Sequence, residues 1–366
     1  MDTVIIYSFV ACTIVQICYY IFFSFFLFTN KKRKKNTKQH AISVIICAKN
    51  EAENLKNFLP SILNQNYSNF EIVLINDASN DETLTIMEAF ATKHNNIKIV
   101  DVKNIETFWG NKKYALTLGI KASSNNHLLF TDADCKPVSK NWIAKMNTQF
   151  SEKKTIILGY GKYKRENKLV NLFVRFETLL TAIQYFSYAK VGSAYMAVGR
   201  NLAYTKEDFF NVKGFINHMH IKSGDDDLFI QDASNTENTT ICIDKGSFTE
   251  SIAPSSLRNW FLQKRRHIST ANHYKKIHQF FLGLFFVSKF FLFALAICCL
   301  FLFSWKLILC IVGIYYLVEF IVIGFSAKQL QEKKIIFLLP ILEIGLLLFQ
   351  FSIFITNTFS KPTHWK

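Results

Sequence analysis

The chain has 366 residues, 50% of them hydrophobic, which is enough to bury a full core with length left over. Its formal net charge of +16 raises nucleic acid as a partner, yet the basic residues cluster beside apolar runs, and no basic face with interleaved aromatics precedes residue 258. A nucleic-acid partner is excluded on that ground. The eight cysteines show no metal or disulfide spacing and read as small hydrophobes.

The first predicted element is an apolar helix over Ile5–Phe28. Its length matches the ~20 residues that cross ~30 Å of hydrocarbon. Basic residues follow it instead of preceding it, and no small-residue cleavage site is visible, so it reads as an anchor and not as a cleaved signal peptide. "KKRKKNTK" (Lys31–Lys38) abuts this span, while Lys328, Lys333 and Lys334 lie between the last two of three further apolar runs, Phe280–Phe303, Leu307–Phe325 and Ile335–Ile355. Positive residues beside spans mark the cytoplasmic side. The expected organisation is an anchor (1–29), a basic juxtamembrane linker (30–40), a cytoplasmic domain (41–252), an interfacial amphipathic helix (253–279) and three C-terminal spans (280–366). Such a chain is a multi-pass protein of the inner or plasma membrane, in contact with membrane lipids.

Within the middle part, "ISVIICA" (42–48), "FEIVLIND" (70–77), "IKIVDV" (97–102) and "HLLFTDAD" (127–134) read as strands. Helical stretches run over 50–65, 81–94 and 111–123 between them. Alternating apolar strands and helices predict an α/β fold with a doubly wound, mostly parallel sheet covered on both faces. Ligands bind at the C-terminal strand ends of such sheets. Here those ends carry Ala48 and Glu51, Asn76 and Asp77, and Asp132 and Asp134. One acidic strand end is as well explained by a helix cap; three together are informative. There is no glycine-rich phosphate loop, so a diphosphate held on this edge needs a cation. The Asp132/Asp134 pair is a seat for Mg²⁺ or Mn²⁺, hard ions that take carboxylate and phosphate oxygens.

The stretches "SVIICAKNEAENL", "EIVLINDASNDET", "NKKYALTLGI", "LLFTDADCKP", "VGRNLAYTKEDFFNVKGF", "SGDDDLFIQ" and "QKRRH" occur in that order. The series resembles that of the membrane-bound family-two glycosyltransferases, over roughly residues 42–270, with the flanking spans in keeping. The resemblance implies a GT-A fold and an inverting, hexosyl-type transfer from a nucleotide-diphosphate sugar, with a UDP-sugar the commonest donor. It implies that Ala48, Glu51, Asn76 and Asp77 hold the nucleotide, although the family usually has two aspartates where Asn76-Asp77 stands. By the same match, Lys112 reaches the pyrophosphate, Asp134 with Asp132 holds the metal, and Gln263, Arg266 and His267 belong to the donor site. His267 replaces the family's usual Trp. Asp225 falls on the catalytic base, with Asp226 one residue away as the alternative register and Gly224 where the family has Glu.

The acceptor expected from these features is lipid-linked or a glycan, because the basic, aromatic helix around Trp260 and Phe261 suits the headgroup layer. A processive polysaccharide synthase, a hydrolase using the same carboxylates and a silent nucleotide-sugar-binding partner are the rival readings. Glu319 and Glu343 lie inside spans, where pairing with Lys289 or an interfacial position is the plain alternative to a functional role.

Overall fold

The computed structural model describes residues 2–28, 38–103, 112–221 and 223–360. Most of the basic cluster (31–37) and Asn111 lie outside the described residues. The elements in chain order are α1 (Asp2–Phe23), β1 (Ile42–Ala48), α2 (Ala52–Leu63), β2 (Phe70–Asp77), α3 (Thr83–Ala91), β3 (Ile97–Val102), α4 (Lys112–Ala122) and β4 (His127–Phe130). They continue with β5 (Cys135–Pro137), α5 (Trp142–Asn147), β6 (Ile156–Leu158), β7 (Gly161–Tyr163), α6 (Leu169–Lys190), β8 (Leu202–Thr205), α7 (Lys206–Asn211) and α8 (Asp227–Ala233). The remainder is β9 (Thr239–Ile241), β10 (Thr249–Ser251), α9 (Leu257–Thr270), α10 (Lys276–Leu302), α11 (Trp305–Gln329) and α12 (Leu339–Phe359).

The chain divides into two compact units. One comprises Lys32–Glu166 with Tyr188–Pro254 and carries the sheets. Its main sheet has the order β3-β2-β1-β4-β8-β6-β9, in which β8 runs antiparallel to β4 and β6 and the other pairs are parallel. A small second sheet has the order β5-β10-β7. The expected mostly parallel sheet is therefore present, with β8 the antiparallel insertion. β1 is central and nearly all buried, which its unbroken apolar run requires of a strand covered on both faces. α2 covers it through Leu55, Leu59 and Ile62, spaced to share one helix face. α4 packs close because Gly119 has no side chain: a Cβ there would stand 2.2 Å from Ile75 Cδ1.

The second unit comprises Met1–Lys31, Asn167–Ser187 and Ser255–Thr363. Among the described residues it contains four helices long and apolar enough to cross a membrane: Asp2–Leu27, Lys276–Leu302, Trp305–Gln329 and Lys333–Phe359. Two further helices join them. α9 stacks Trp260 on Phe349 at 3.9 Å, and its Lys264 donates to Glu177 of α6 at 2.6 Å. Arg175 of α6 makes a buried ion pair with Glu332. The hydrophobic pattern of 169–190 is broken by Asn171, Arg175 and Glu177, so nothing in the sequence marked α6 as an element of this unit.

Candidate functional site

The loops leaving β1 and β2 are braced against each other before any side chain reaches the site. Asn50 and Ala78, one at each strand exit, adopt positive φ of 57° and 48°. For a non-glycine residue this conformation costs on the order of 1–3 kcal/mol and persists only where its surroundings hold it. Here the Asn50 N–H donates to Ser79 Oγ at 3.0 Å and the Asn80 N–H to Asn50 Oδ1 at 2.8 Å. The first turn of α2 is completed from the neighbouring loop: the Glu51 N–H donates to Thr83 Oγ1 at 2.8 Å and the Ala52 N–H to Asp81 Oδ2 at 3.3 Å.

At this edge Ala48 lies in register with Asn76, and Asn76 with Asp101. The Asn76 side chain is committed to the protein: its amide donates to Asp101 Oδ1 at 2.8 Å and its oxygen accepts from the Ser79 N–H at 3.3 Å. Asp77 is buried, and that burial pushes its carboxyl up against the opposing pull of Lys49 and Lys112. Burial likewise raises Glu51, which accepts from Asn54 at 2.5 Å.

β4 ends at Phe130, earlier than the expected 134, and the chain turns with the Cys135 N–H donating to Asp132 O at 3.1 Å. Asp132 and Asp134 thus sit on a turn beyond the strand, where their carboxylates are free of the ladder. With the Cys135 thiol they place one ligand atom each within 4.8 Å of one another. Cys135 Sγ donates to Asp134 Oδ1 at 3.2 Å. Burial and the Asp132 charge both raise the Asp134 carboxyl. Two neighbouring carboxylates that gain from a cation between them are a donor set that fits a hard divalent ion.

Lys112, at the start of α4, joins this turn to the acidic loop before α8. Its Nζ lies 3.1 Å from Asp132 Oδ1 and 3.1 Å from Asp225 Oδ2. Burial would push the Asp225 carboxyl up, but the Lys112 ammonium outweighs it and holds the group below the usual carboxylate range. Asp226 is differently used. Its Oδ2 accepts from the Gly199 N–H at 2.7 Å and its Oδ1 caps α8 through the Asp227 N–H at 2.8 Å. Burial, then the neighbouring Asp225 charge, pushes Asp226 up to about 6. A cleft is lined by Cys47, Lys112, Asp132, Gly199, Tyr204, Asp225 and Asp226 among others.

Several residues of this site went unassigned in the sequence. The three-residue turn Gly199–Asn201 is its hub. The Arg200 carbonyl accepts from Thr131 and Thr249, and the Asn201 amide donates to Tyr160 O and Ser247 O at 2.9 and 2.8 Å. The Arg200 guanidinium lies 4.3 Å over the Tyr163 ring, where Gly161 leaves room for it, and its charge acts on Asp134. Lys113 is buried and donates to His218 O and Ile221 O at 2.8 and 3.0 Å, fastening the stretch that leads to Asp225. The doublet Lys112-Lys113 was visible, but only the helix phase sends one ammonium to the cleft and the other beneath the loop. Gln263, Arg266 and His267 belong to the other unit, on α9, where Gln263 Oε1 is buried without a hydrogen bond and burial lowers Arg266.

Residues 43–220 match the Glycosyl transferase family 2 model. The chain is 36% identical over 124 residues to an uncharacterized glycosyltransferase of Haemophilus influenzae, covering 33% of this chain and 36% of that protein. It is 35% identical over 102 residues to a poly-beta-1,6-N-acetyl-D-glucosamine synthase of Staphylococcus epidermidis, covering 28% and 24%. The matches thus span about a third or less of these curated relatives. Among solved structures, the mannosyltransferase PcManGT from Pyrobaculum calidifontis, in complex with GDP-Man and Mn²⁺, superposes with a TM-score of 0.60 at 15% identity over 95% of this chain and 98% of that one. The sheet order and these matches mark residues 43–220 as a family 2 glycosyltransferase domain of GT-A-type fold, and the described residues include four candidate membrane-spanning helices.

Proposed function

We propose that the protein is an inverting glycosyltransferase, moving a sugar from a nucleotide-diphosphate sugar, a UDP-sugar first among them, to a hydroxyl of a lipid-linked acceptor at the cytoplasmic membrane face. The observation that carries this reading is Lys112, whose ammonium meets Asp132 of the metal pair and Asp225 of the acidic loop at 3.1 Å each. One cation thus marks the point where leaving-group chemistry and proton acceptance adjoin.

Asp134 and Asp132 are the residues that would hold a divalent ion, Mn²⁺ or Mg²⁺, which when bound neutralises charge on the diphosphate. Lys112 adds a fixed positive charge beside the same leaving group. Asp225, ionised and open to the cleft, takes the proton of the acceptor hydroxyl. The acceptor oxygen then bonds to the anomeric carbon as the bond to the diphosphate oxygen breaks, the electron pair leaving with the diphosphate. Asp226 positions Asp225: both of its oxygens already accept backbone N–H groups. Glu51 and Asp77 at the strand exits are placed to meet the nucleotide, with Ala48 beneath and Asn76 holding the β2 exit in shape. His267 in place of an aromatic platform favours transfer of one or a few sugars over a long polymer.

The test is incubation of the purified protein with Mn²⁺ and a panel of labelled nucleotide sugars, followed by organic extraction and sizing. One donor should be consumed and yield a short extractable glycolipid. No turnover of any donor, with or without membrane lipid, refutes the transferase reading, and a long water-soluble polymer replaces it with a processive synthase.

A further inference from the structure

Three ionisable side chains lie in the middle of the candidate spans, Lys289 in α10, Glu319 in α11 and Glu343 in α12, and all three meet. Their exposures are 5%, 0% and 2%. Lys289 Nζ donates to Glu343 Oε1 at 2.6 Å and to the Tyr20 hydroxyl oxygen at 2.8 Å. Tyr20, from α1, donates in turn to Glu319 Oε1 at 2.6 Å. The Tyr315 hydroxyl of α11 also donates to Glu343 Oε1. Every one of the four spans therefore contributes a member.

Two acceptors are left over. Glu319 Oε2 and Glu343 Oε2 are both buried without a hydrogen-bond partner, and the Tyr20 hydroxyl, 2.6 Å from Glu319 Oε1 and 3.3 Å from Glu343 Oε1, holds the two carboxyl groups to one point. Two ionised carboxylates have no donor to offer one another. They also outnumber the one ammonium, leaving a net negative charge among apolar helices, where an uncompensated charge is costly. A single added proton resolves both problems: it supplies the missing O–H···O bond and makes the cluster neutral.

We propose that the helical bundle contains a built proton-binding site, in which one proton is shared by Glu319 and Glu343 and neutralises a cluster that fastens all four spans. Glu343 Oε1 already collects the Lys289 ammonium and the Tyr315 hydroxyl, so Glu343 carries the negative charge and Glu319 is the group that brings the proton. The titratable groups facing the pair are Tyr20 from α1, Lys289 from α10 and Tyr315 and Tyr316 from α11.

Infrared spectroscopy of the full chain in lipid nanodiscs at about pH 8, where ordinary carboxyls are ionised, reads the proton directly. The unmutated protein should show a protonated-carboxyl carbonyl band that shifts in D₂O and is absent from Glu319→Gln. Glu319→Gln, a permanently neutral donor, should melt within about 2 °C of the parent, whereas Lys289→Met strands Glu343 and should lower the midpoint by at least about 6 °C. The Lys289→Met/Glu343→Gln double variant should recover most of that loss. Absence of the band from the unmutated protein overturns the proposal whether or not any variant folds. A Glu319→Gln loss as large as that of Lys289→Met overturns it as well.

Discussion

Asp225 and Asp226 are adjacent and both line the cleft, yet their surroundings assign them opposite liabilities, and a pair of isosteric substitutions separates them. In Asp225→Asn the Lys112 ammonium keeps Asp132 at 3.1 Å, and the lost partner is a carboxylate whose side chain is 14% exposed. The melting midpoint should stay within about 2 °C. Transfer should fall by at least ~10², the low end of what a general base supplies. In Asp226→Asn one of two backbone N–H groups, Gly199 or Asp227, faces an amide NH₂ in place of an oxygen. An unsatisfied buried donor costs about 1–3 kcal/mol, so the midpoint should drop by on the order of 5 °C. The two variants also differ in pH response. Asp226 stands at about 6, above its ordinary 3.8, so the folded state holds its proton more tightly and stability is lost as pH rises between those values. Asp226→Asn should abolish that slope, whereas Asp225→Asn, which removes the neighbouring charge but leaves the burial that is the larger cause, should only reduce it. The assays are single-turnover transfer with labelled donor and thermal melts across pH 4–7. If Asp226→Asn abolishes transfer at unchanged midpoint while Asp225→Asn is mild, the assignment of base and positioning residue is wrong.

Other expectations follow from separate observations. Nucleotide should bind more tightly with Mn²⁺ than without it, and Asp134→Ala should remove that gain; equal affinity in the parent protein counts against the metal seat. His127, packed 4.0 Å from His40, is depressed to about 4 by burial and then by the His40 charge, so its contribution to stability is complete above about 6.5 and is lost as pH falls toward 4. His127→Phe should make that acid limb shallower in pH-dependent melts, and an unchanged limb refutes the attribution. Gly161→Ala would bring a Cβ to 2.4 Å from Arg200 Nε, so it should displace the guanidinium and weaken Mn²⁺ binding measured by electron paramagnetic resonance. Unaltered Mn²⁺ affinity shows that Arg200 does not support Asp134. Lys113→Met strands two carbonyls beneath the acidic loop and should lower both the melting midpoint and kcat, with a normal midpoint arguing against the anchor.

Much of this site was legible along the chain because strand ends are local facts. An apolar run closed by Asn76-Asp77 or followed by Asp132-Ala-Asp134 puts its polar residues on one edge of a parallel sheet whichever way the helices pack, since every such strand points the same way. The spans were equally local, for continuous hydrophobicity over ~20 residues needs no partner to be recognised. What required the tertiary structure was every property that depends on residues distant in sequence. That Lys112 joins Asp132 to Asp225, that Asp226 is consumed by the Gly199 N–H, and that the Gly199–Asn201 turn ties two sheets together are relations across 20 to 113 positions. Helix α6 hid for the same reason, its charged residues finding Glu332 and Lys264 only in the folded unit. For Glu319 and Glu343 the sequence offered Lys289 as one partner without saying whether they meet; folding brings all three to one point, because a polar group among apolar helices has nowhere to satisfy its bonds except against another.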